Sequence, residues 1–140
     1  MEQERRVLAI DPGRYKTGLA VVTSGGKVLF RRVVTREELL EAVETAWYQY
    51  APVAVVVGDR TGAKELLDFL EEHGPPGIRG HIQFVHEDGT SLAARALYWK
   101  ENPPRGWRRL LPEGLRQPPV PVDDFAAVIL AYRYFSRMVT

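Results

Sequence analysis

The sequence predicts one α/β domain: a mixed sheet of five strands, three antiparallel and then two parallel, with helices on both faces. Three observations carry this. Val7 to Ile10 and Val53 to Val57 are short and wholly apolar, as strands covered on both sides are. Gly18 to Val22 and Val28 to Val34 are strand-like runs joined through Ser24-Gly25-Gly26, a hairpin connection. Elsewhere apolar residues recur at three- and four-residue spacing, as on helices with one buried face. Residues 1–140 suit a single domain and are too few for two sizeable ones.

Each element follows in order. The Val7–Ile10 strand stops at Asp11-Pro12-Gly13, a good turn. After the hairpin, Thr35-Arg36-Glu37-Glu38 fits a capping box, the Thr hydroxyl accepting from a first-turn amide and Glu38 reaching back. Leu39, Leu40, Val43, Ala46, Trp47 and Tyr50 form the apolar face of the helix so started, with Glu37, Glu41 and Glu44 on its wet side; Pro52 ends it. The Val53–Val57 strand closes at Gly58-Asp59. Thr61 is placed to cap a second helix with Ala63, Leu66, Leu67 and Leu70 inward, ending at His73-Gly74-Pro75-Pro76-Gly77. His81 to Val85 reads as a fifth strand and Leu92 to Lys100 as a third helix. Six prolines between 101 and 121 predict a long loop. A last helix runs from about Asp123 to Met138.

Composition narrows the function. Hydrophobic residues at 45% and charged residues at 26% are ordinary for a globular chain. The absence of cysteine excludes disulfides, Cys-ligated zinc, iron–sulfur clusters and thiol nucleophiles. No apolar run approaches the ~20 residues of a membrane helix, and the charged start, Met1 to Arg6, does not resemble a signal peptide; a cytoplasmic protein without membrane partners is expected. The net charge of +1 conceals segregation: +5 over residues 1–36, −7 over 37–72 and +3 over 73–140. This pattern suits either an acidic helical flank with a basic face elsewhere or an ordinary solvated surface.

The informative residues are acids that interrupt apolar runs. Asp11 follows the first strand, Glu87 the fifth, and Asp123-Asp124 opens the last helix. Ligand sites in open α/β sheets lie at the carboxyl ends of strands. With the first and fourth strands as parallel neighbours and the fifth beyond, Asp11 and Glu87 sit roughly 10 Å apart, two strand spacings. Gly58, between them without a side chain, leaves space for an ion. Converging carboxylates repel unless protonated or neutralised, and a hard divalent cation neutralises them. Two such ions at roughly 3.5–4 Å would serve phosphodiester hydrolysis with no His or Ser nucleophile. Each acid has an ordinary reading too: Asp11 as a turn former, Asp123 or Asp124 as a helix cap. No Gly-x-Ser-x-Gly, His-Glu-x-x-His or phosphate-binding loop competes.

Four motifs in order resemble the YqgF/RuvX family, relatives of the RuvC resolvases with an RNase H-like fold. They are Leu8-Ala9-Ile10-Asp11-Pro12-Gly13 with Thr17-Gly18-Leu19-Ala20, then Val55-Val56-Val57-Gly58, then Val85-His86-Glu87 with Thr90-Ser91 and Ala94, and finally Asp123-Asp124-Phe125-Ala126-Ala127-Val128-Ile129-Leu130. The resemblance implies Asp11, Glu87 and Asp123 as catalytic and metal-binding acids, Mg²⁺ or Mn²⁺ as cofactor, and a phosphodiester of RNA or branched DNA as substrate. It associates the chain with ribosomal RNA precursor processing and, by analogy, with Holliday-junction cleavage, as monomer or homodimer. Helix geometry leaves Asp123 and Asp124 open, since they point about 100° apart; the family pattern selects Asp123. His86 and Asp88 stand where the family has Asp and Arg, and Gly58-Asp59-x-Thr61 with Glu87-x-Gly89-x-Ser91 is similar to the YqgF-like domain of the Tex protein. The alternative is therefore an inactive nucleic-acid-binding module of the same fold. His86, Asp88 and Asp124 are additional candidates at the site. Asp11-x-Gly13 with Thr17 also resembles the phosphate loop of sugar kinases and actin-like ATPases, whose two-domain cleft this length does not supply.

Nucleic-acid contacts are expected from two places. Arg14 and Lys16 flank Asp11. The stretch Lys100 to Pro118 holds Lys100, Arg105, Arg108, Arg109 and Arg116 with Tyr98, Trp99 and Trp107 near by, a pattern that suits phosphate tracking and base stacking. The same stretch reads equally as a Pro-rich loop pinned by Trp107.

Overall fold

Four strands flank a central one whose middle stretch, Val7 to Ile10, is inaccessible to water. In a computed structural model that describes residues 4–60 and 62–139, with side chains to Arg137, the elements are β1 (Arg6–Asp11), β2 (Lys16–Thr23), β3 (Val28–Thr35), α1 (Leu39–Tyr50), β4 (Ala54–Gly58), α2 (Ala63–His73), β5 (Ile82–Val85), α3 (Thr90–Glu101) and α4 (Asp123–Val139). The sheet order is β3-β2-β1-β4-β5. Strands β1 and β2 are antiparallel, as are β2 and β3, whereas β1–β4 and β4–β5 are parallel. Val7 to Ile10 have no exposed surface, and all of β4 is buried, as their unbroken apolar runs require.

Strand alternation sorts the core into two layers. Leu8, Ile10, Leu19, Val21, Val55 and Val57 face α1 and α2. Val7, Ala9, Ala20, Val22, Val56 and Val85 face α4. Helix α3 lies outside α4, with Ala94, Tyr98 and Trp99 packed on Phe125 and Ala126. The parity decides the site: Asp11 continues the 7–9 row and Glu87 the Val85 row, so both belong to the α4 face.

Several local expectations are corrected. Glu38 reaches back as expected and accepts the Thr35 amide, but the Thr35 hydroxyl donates to the same carboxylate instead of accepting from a first-turn amide; Thr35 ends β3 and α1 begins at Leu39. Ala42 joins the buried stripe of α1, while Leu40 stays at the margin. Thr61 lies outside the described residues; Gly62 is the N-cap of α2. The 101–121 loop contains two 3₁₀ turns, Gly106–Leu110 and Glu113–Leu115. Trp107 does not pin it, being 65% exposed. Arg116 does so instead, its Nε donating to the carbonyls of Arg108 and Leu111 while its guanidinium lies over the Trp99 ring. Arg95 of α3 donates in turn to the Arg116 carbonyl.

Helix α4 enters the layer across Gly18, which pairs with Asp11 in the sheet. A Cβ on Gly18 would collide with the backbone of Asp123 and Asp124. Overpacking of this kind costs typically 1–3 kcal/mol. Gly18→Ala is expected to lower unfolding stability by about 2–3 kcal/mol, read as a reduced urea midpoint at unchanged slope; an unchanged midpoint would mean that α4 does not rest on this glycine.

Candidate active site

The carboxyl edge of the sheet gathers acids around Asp11 from both sides. Gly18 on β2 admits the α4 N-terminus, and with it Asp123. On the other side Gly58, last residue of β4, leaves the volume that the Glu87 side chain fills: a Cβ there would collide with its carboxylate. The space expected for an ion beside Gly58 is therefore occupied by Glu87. The carboxyls of Asp11 and Glu87 also lie closer than the roughly 10 Å expected from strand spacing, because a hydrogen bond joins them. Glu87 is 2% exposed, the most buried acid among the described residues.

The electrostatics follow from this crowding. Burial, then the hydrogen bond and charge of Glu87, then the charge of Asp123 push the Asp11 carboxyl up to about 9, against a smaller opposing effect of Arg60. The two carboxyls thus share a proton at neutral pH, the affinity of Asp11 for it being raised. Burial, then the Asp124 charge, raises Asp123, while Lys16 opposes. Lys16 lies on the same strand face as Gly18, in the position to do so.

The structure separates the candidate acids. Asp124 is committed elsewhere: its Oδ2 meets Arg31 Nε at 3.0 Å and its Oδ1 accepts from the Phe125 amide at 3.0 Å. The Arg31 guanidinium also stacks on Phe125, 3.9 Å from the ring centroid, and meets Glu101. Asp123, not Asp124, is the one whose charge reaches Asp11. His86 and Asp88 are exposed and bonded to each other. Exposed His86 holds Asp59 through Nδ1 at 3.2 Å and Asp88 through Nε2 at 2.8 Å. These bonds, that of Asp59 first, raise the ring's proton affinity. Arg133 donates to the His86 carbonyl at 2.7 Å.

Two residues of this neighbourhood escaped the sequence reading. Asp59 Oδ1 accepts the backbone N–H of Glu87 at 3.1 Å and fixes the start of the β5–α3 turn. Arg60, 54% exposed, brings Nε to 3.4 Å from Glu87 Oε2. In the sequence Asp59 stood only within the Gly58-Asp59-x-Thr61 resemblance, with no role at the site, and the signal for Arg60 was adjacency to Gly58.

The donor set suits a hard cation in chemistry. Glu87 Oε2 is buried without a hydrogen-bond partner, and Asp11 must hold a proton to coexist with Glu87; a divalent cation would satisfy both. The gathering is incomplete, since among the described residues no three His, Asp or Glu side chains are grouped closely enough to form a ready cage.

The expected nucleic-acid contacts fall in two regions. Arg14 lies over Tyr15, 5.5 Å from its centroid, beside Asp11 in the chain. Lys100, Arg105, Trp107 and Arg109 are exposed, and Arg108, half-buried, lies 5.3 Å over the Trp107 ring. Tyr98 and Trp99 are core residues, with no free face for a base.

Linkage gives a direct check on the carboxyl pair. The folded-state affinity of Asp11 for its proton is raised, so between about pH 4 and 9 the native chain binds a proton that the unfolded chain has lost. Its stabilising contribution is complete below the unfolded value and is lost as pH rises, by at most ~1.4 kcal/mol per pH unit. In chelator, Asp11→Asn should match the wild type near pH 4–5 and exceed it in stability increasingly towards pH 9. Parallel stability curves over that range would show the carboxyls to be independent.

No family model matches the chain, and no curated protein matches it. Among solved structures it is similar to Thermus thermophilus RuvC (TM-score 0.54, 20% identity, 96% of this chain and 97% of that chain). It is similar as well to T. thermophilus RuvC in complex with a Holliday junction substrate (TM-score 0.51, 18% identity, 96% of each chain). The chain has the mixed five-stranded, RuvC-like RNase H fold.

Proposed function

We propose that the chain is a divalent-metal-dependent endonuclease acting on a structured nucleic acid, an RNA precursor or branched DNA, in the manner of YqgF-type and RuvC-type enzymes. The observation that carries this is the pairing of half-buried Asp11 with buried Glu87 at the carboxyl ends of the sheet, with the charge of Asp123 acting on Asp11. Likeness to RuvC bound to a Holliday junction supports the substrate class. No described helix is long and apolar enough to cross a membrane, and a cytoplasmic monomer or homodimer remains part of the proposal.

Asp11, Glu87 and Asp123 are the residues that would hold Mg²⁺ or Mn²⁺. Bound there, the ion supplies polarisation of a phosphate oxygen and an acidified water. The chain's own part is to bind, orient and manage protons. Asp11 would have to release its shared proton to hold a cation, so uptake of the ion would acidify the medium. Arg60 and Lys16, the cations nearest the acids, are placed to meet a phosphate, and the Trp107–Arg109 turn offers an exposed ring and guanidiniums to the flanking strand.

The rival reading, a binding module without catalysis, is favoured by two observations: Arg60 already gives Glu87 a counter-charge, and no three acids among the described residues form a cluster. A labelled four-way DNA junction and a structured RNA, each incubated with Mg²⁺ or Mn²⁺, separate the two. Cleavage by the wild type, reduced roughly a hundredfold or more in Asp11→Asn and Glu87→Gln, is expected. Binding without cleavage, equal in wild type and variants, establishes the module instead.

A further inference from the structure

A cavity of about 530 Å³ opens on the opposite side of the β1–β2 turn from the carboxylates. Pro12, next in the chain after Asp11, is in its wall, so the two sites share one turn. That volume lies within the ~300–1,000 Å³ typical of small-ligand sites. The lining is mixed in a specific way. Leu39 and Leu66, both 7% exposed, belong to the core layer under α1 and α2 and also line the cavity, as does half-buried Phe69. Tyr15, also in the lining, is 77% exposed, with the Arg14 guanidinium 5.5 Å from its ring centroid. Arg36 is the second cation of the lining. Among the described residues neither arginine has an acidic partner, whereas Arg31, Arg32 and Arg60 all do.

A flat apolar ring fits such a floor, and an anion attached to that ring fits the two arginines at the rim. Glu65 on the wall offers acceptors to the amino edge of a base. We propose that this cavity seats the base of one unpaired nucleotide adjacent to the phosphodiester lying over Asp11 and Glu87. Tyr15 stacks on the base, and Arg14 and Arg36 hold its phosphate. The inference rests on the reading of the carboxylate edge as a phosphodiester site. It adds a preference: substrates with an unpaired nucleotide at the branch are bound better than fully paired ones, and the preference resides in Tyr15 and the two arginines.

Such a site is read by binding alone, in chelator, where no cleavage intervenes. The probes are a DNA junction with one unpaired nucleotide at the branch, the same junction with an abasic residue there, and a fully paired junction. Wild type is expected to prefer the first by roughly five- to hundredfold, the loss that base stacking of about 1–3 kcal/mol predicts. Tyr15→Ala, a change at an exposed side chain, is expected to erase that preference while binding the abasic junction as the wild type does. Arg14→Ala and Arg36→Ala should weaken all three junctions and flatten the salt dependence. Equal affinity for the unpaired and abasic junctions, a Tyr15→Ala preference equal to wild type, or no binding of any probe overturns the pocket. A parallel cleavage assay with Mn²⁺ decides the phosphodiesterase reading separately. A base preference without cleavage keeps the pocket and discards the nuclease, while cleavage without preference does the reverse.

Discussion

Everything at the carboxyl edge of this sheet depends on two glycines that flank one aspartate. Asp11 ends the central strand, and its neighbours on either side, Gly18 of β2 and Gly58 of β4, present no side chain on the α4 face. Through the first gap the backbone of Asp123 settles onto the sheet; through the second the side chain of Glu87 reaches across a whole strand. Residues distant in the chain meet because backbone and carboxylate can approach where a Cβ would stand. The same close packing that fixes α4 therefore builds the acidic site, so fold and site are one steric arrangement.

The result is a charge imbalance that the protein leaves partly uncorrected. A hydrogen-bonded proton on Asp11 relieves the repulsion with Glu87, Arg60 approaches from solvent, and Lys16 moderates Asp123. Asp124, one residue along, is treated differently: Arg31 pairs with it and ties β3 to α4 and α3. Adjacent aspartates thus take separate roles, one structural and one left available. Glu87 Oε2, which has the Arg60 charge near by but no hydrogen bond, is the sign that this neutralisation is unfinished.

Around the acids the surface is organised by rigid supports. Asp59 anchors the Glu87 amide and is itself held by His86, which keeps the turn after β5 in place. On the far side Arg116 secures the proline-rich loop and leaves Trp107 and its arginine neighbours facing outward. The two flanks differ in character: the turn beside Asp11 borders a cavity with an apolar floor, while the loop after α3 presents an exposed ring with arginines beside it. A strand lying across the sheet edge would encounter a recess on one side and a charged surface on the other.

The sequence by itself determined the element order, the burial of β1 and β4 and the acids at element ends, because periodicity and unbroken apolar runs report local covering directly. It also carried the parity that sets Asp11 and Glu87 on one face. It did not determine how close those acids come, since strand spacing measures backbones and not the reach of a glutamate over a glycine. Nor did it distinguish Asp123 from Asp124, place His86 on the surface, or reveal that Arg116 and not Trp107 holds the loop. Those outcomes turn on which long side chain finds which partner across elements, and partners separated by tens of residues are chosen only when the layers pack.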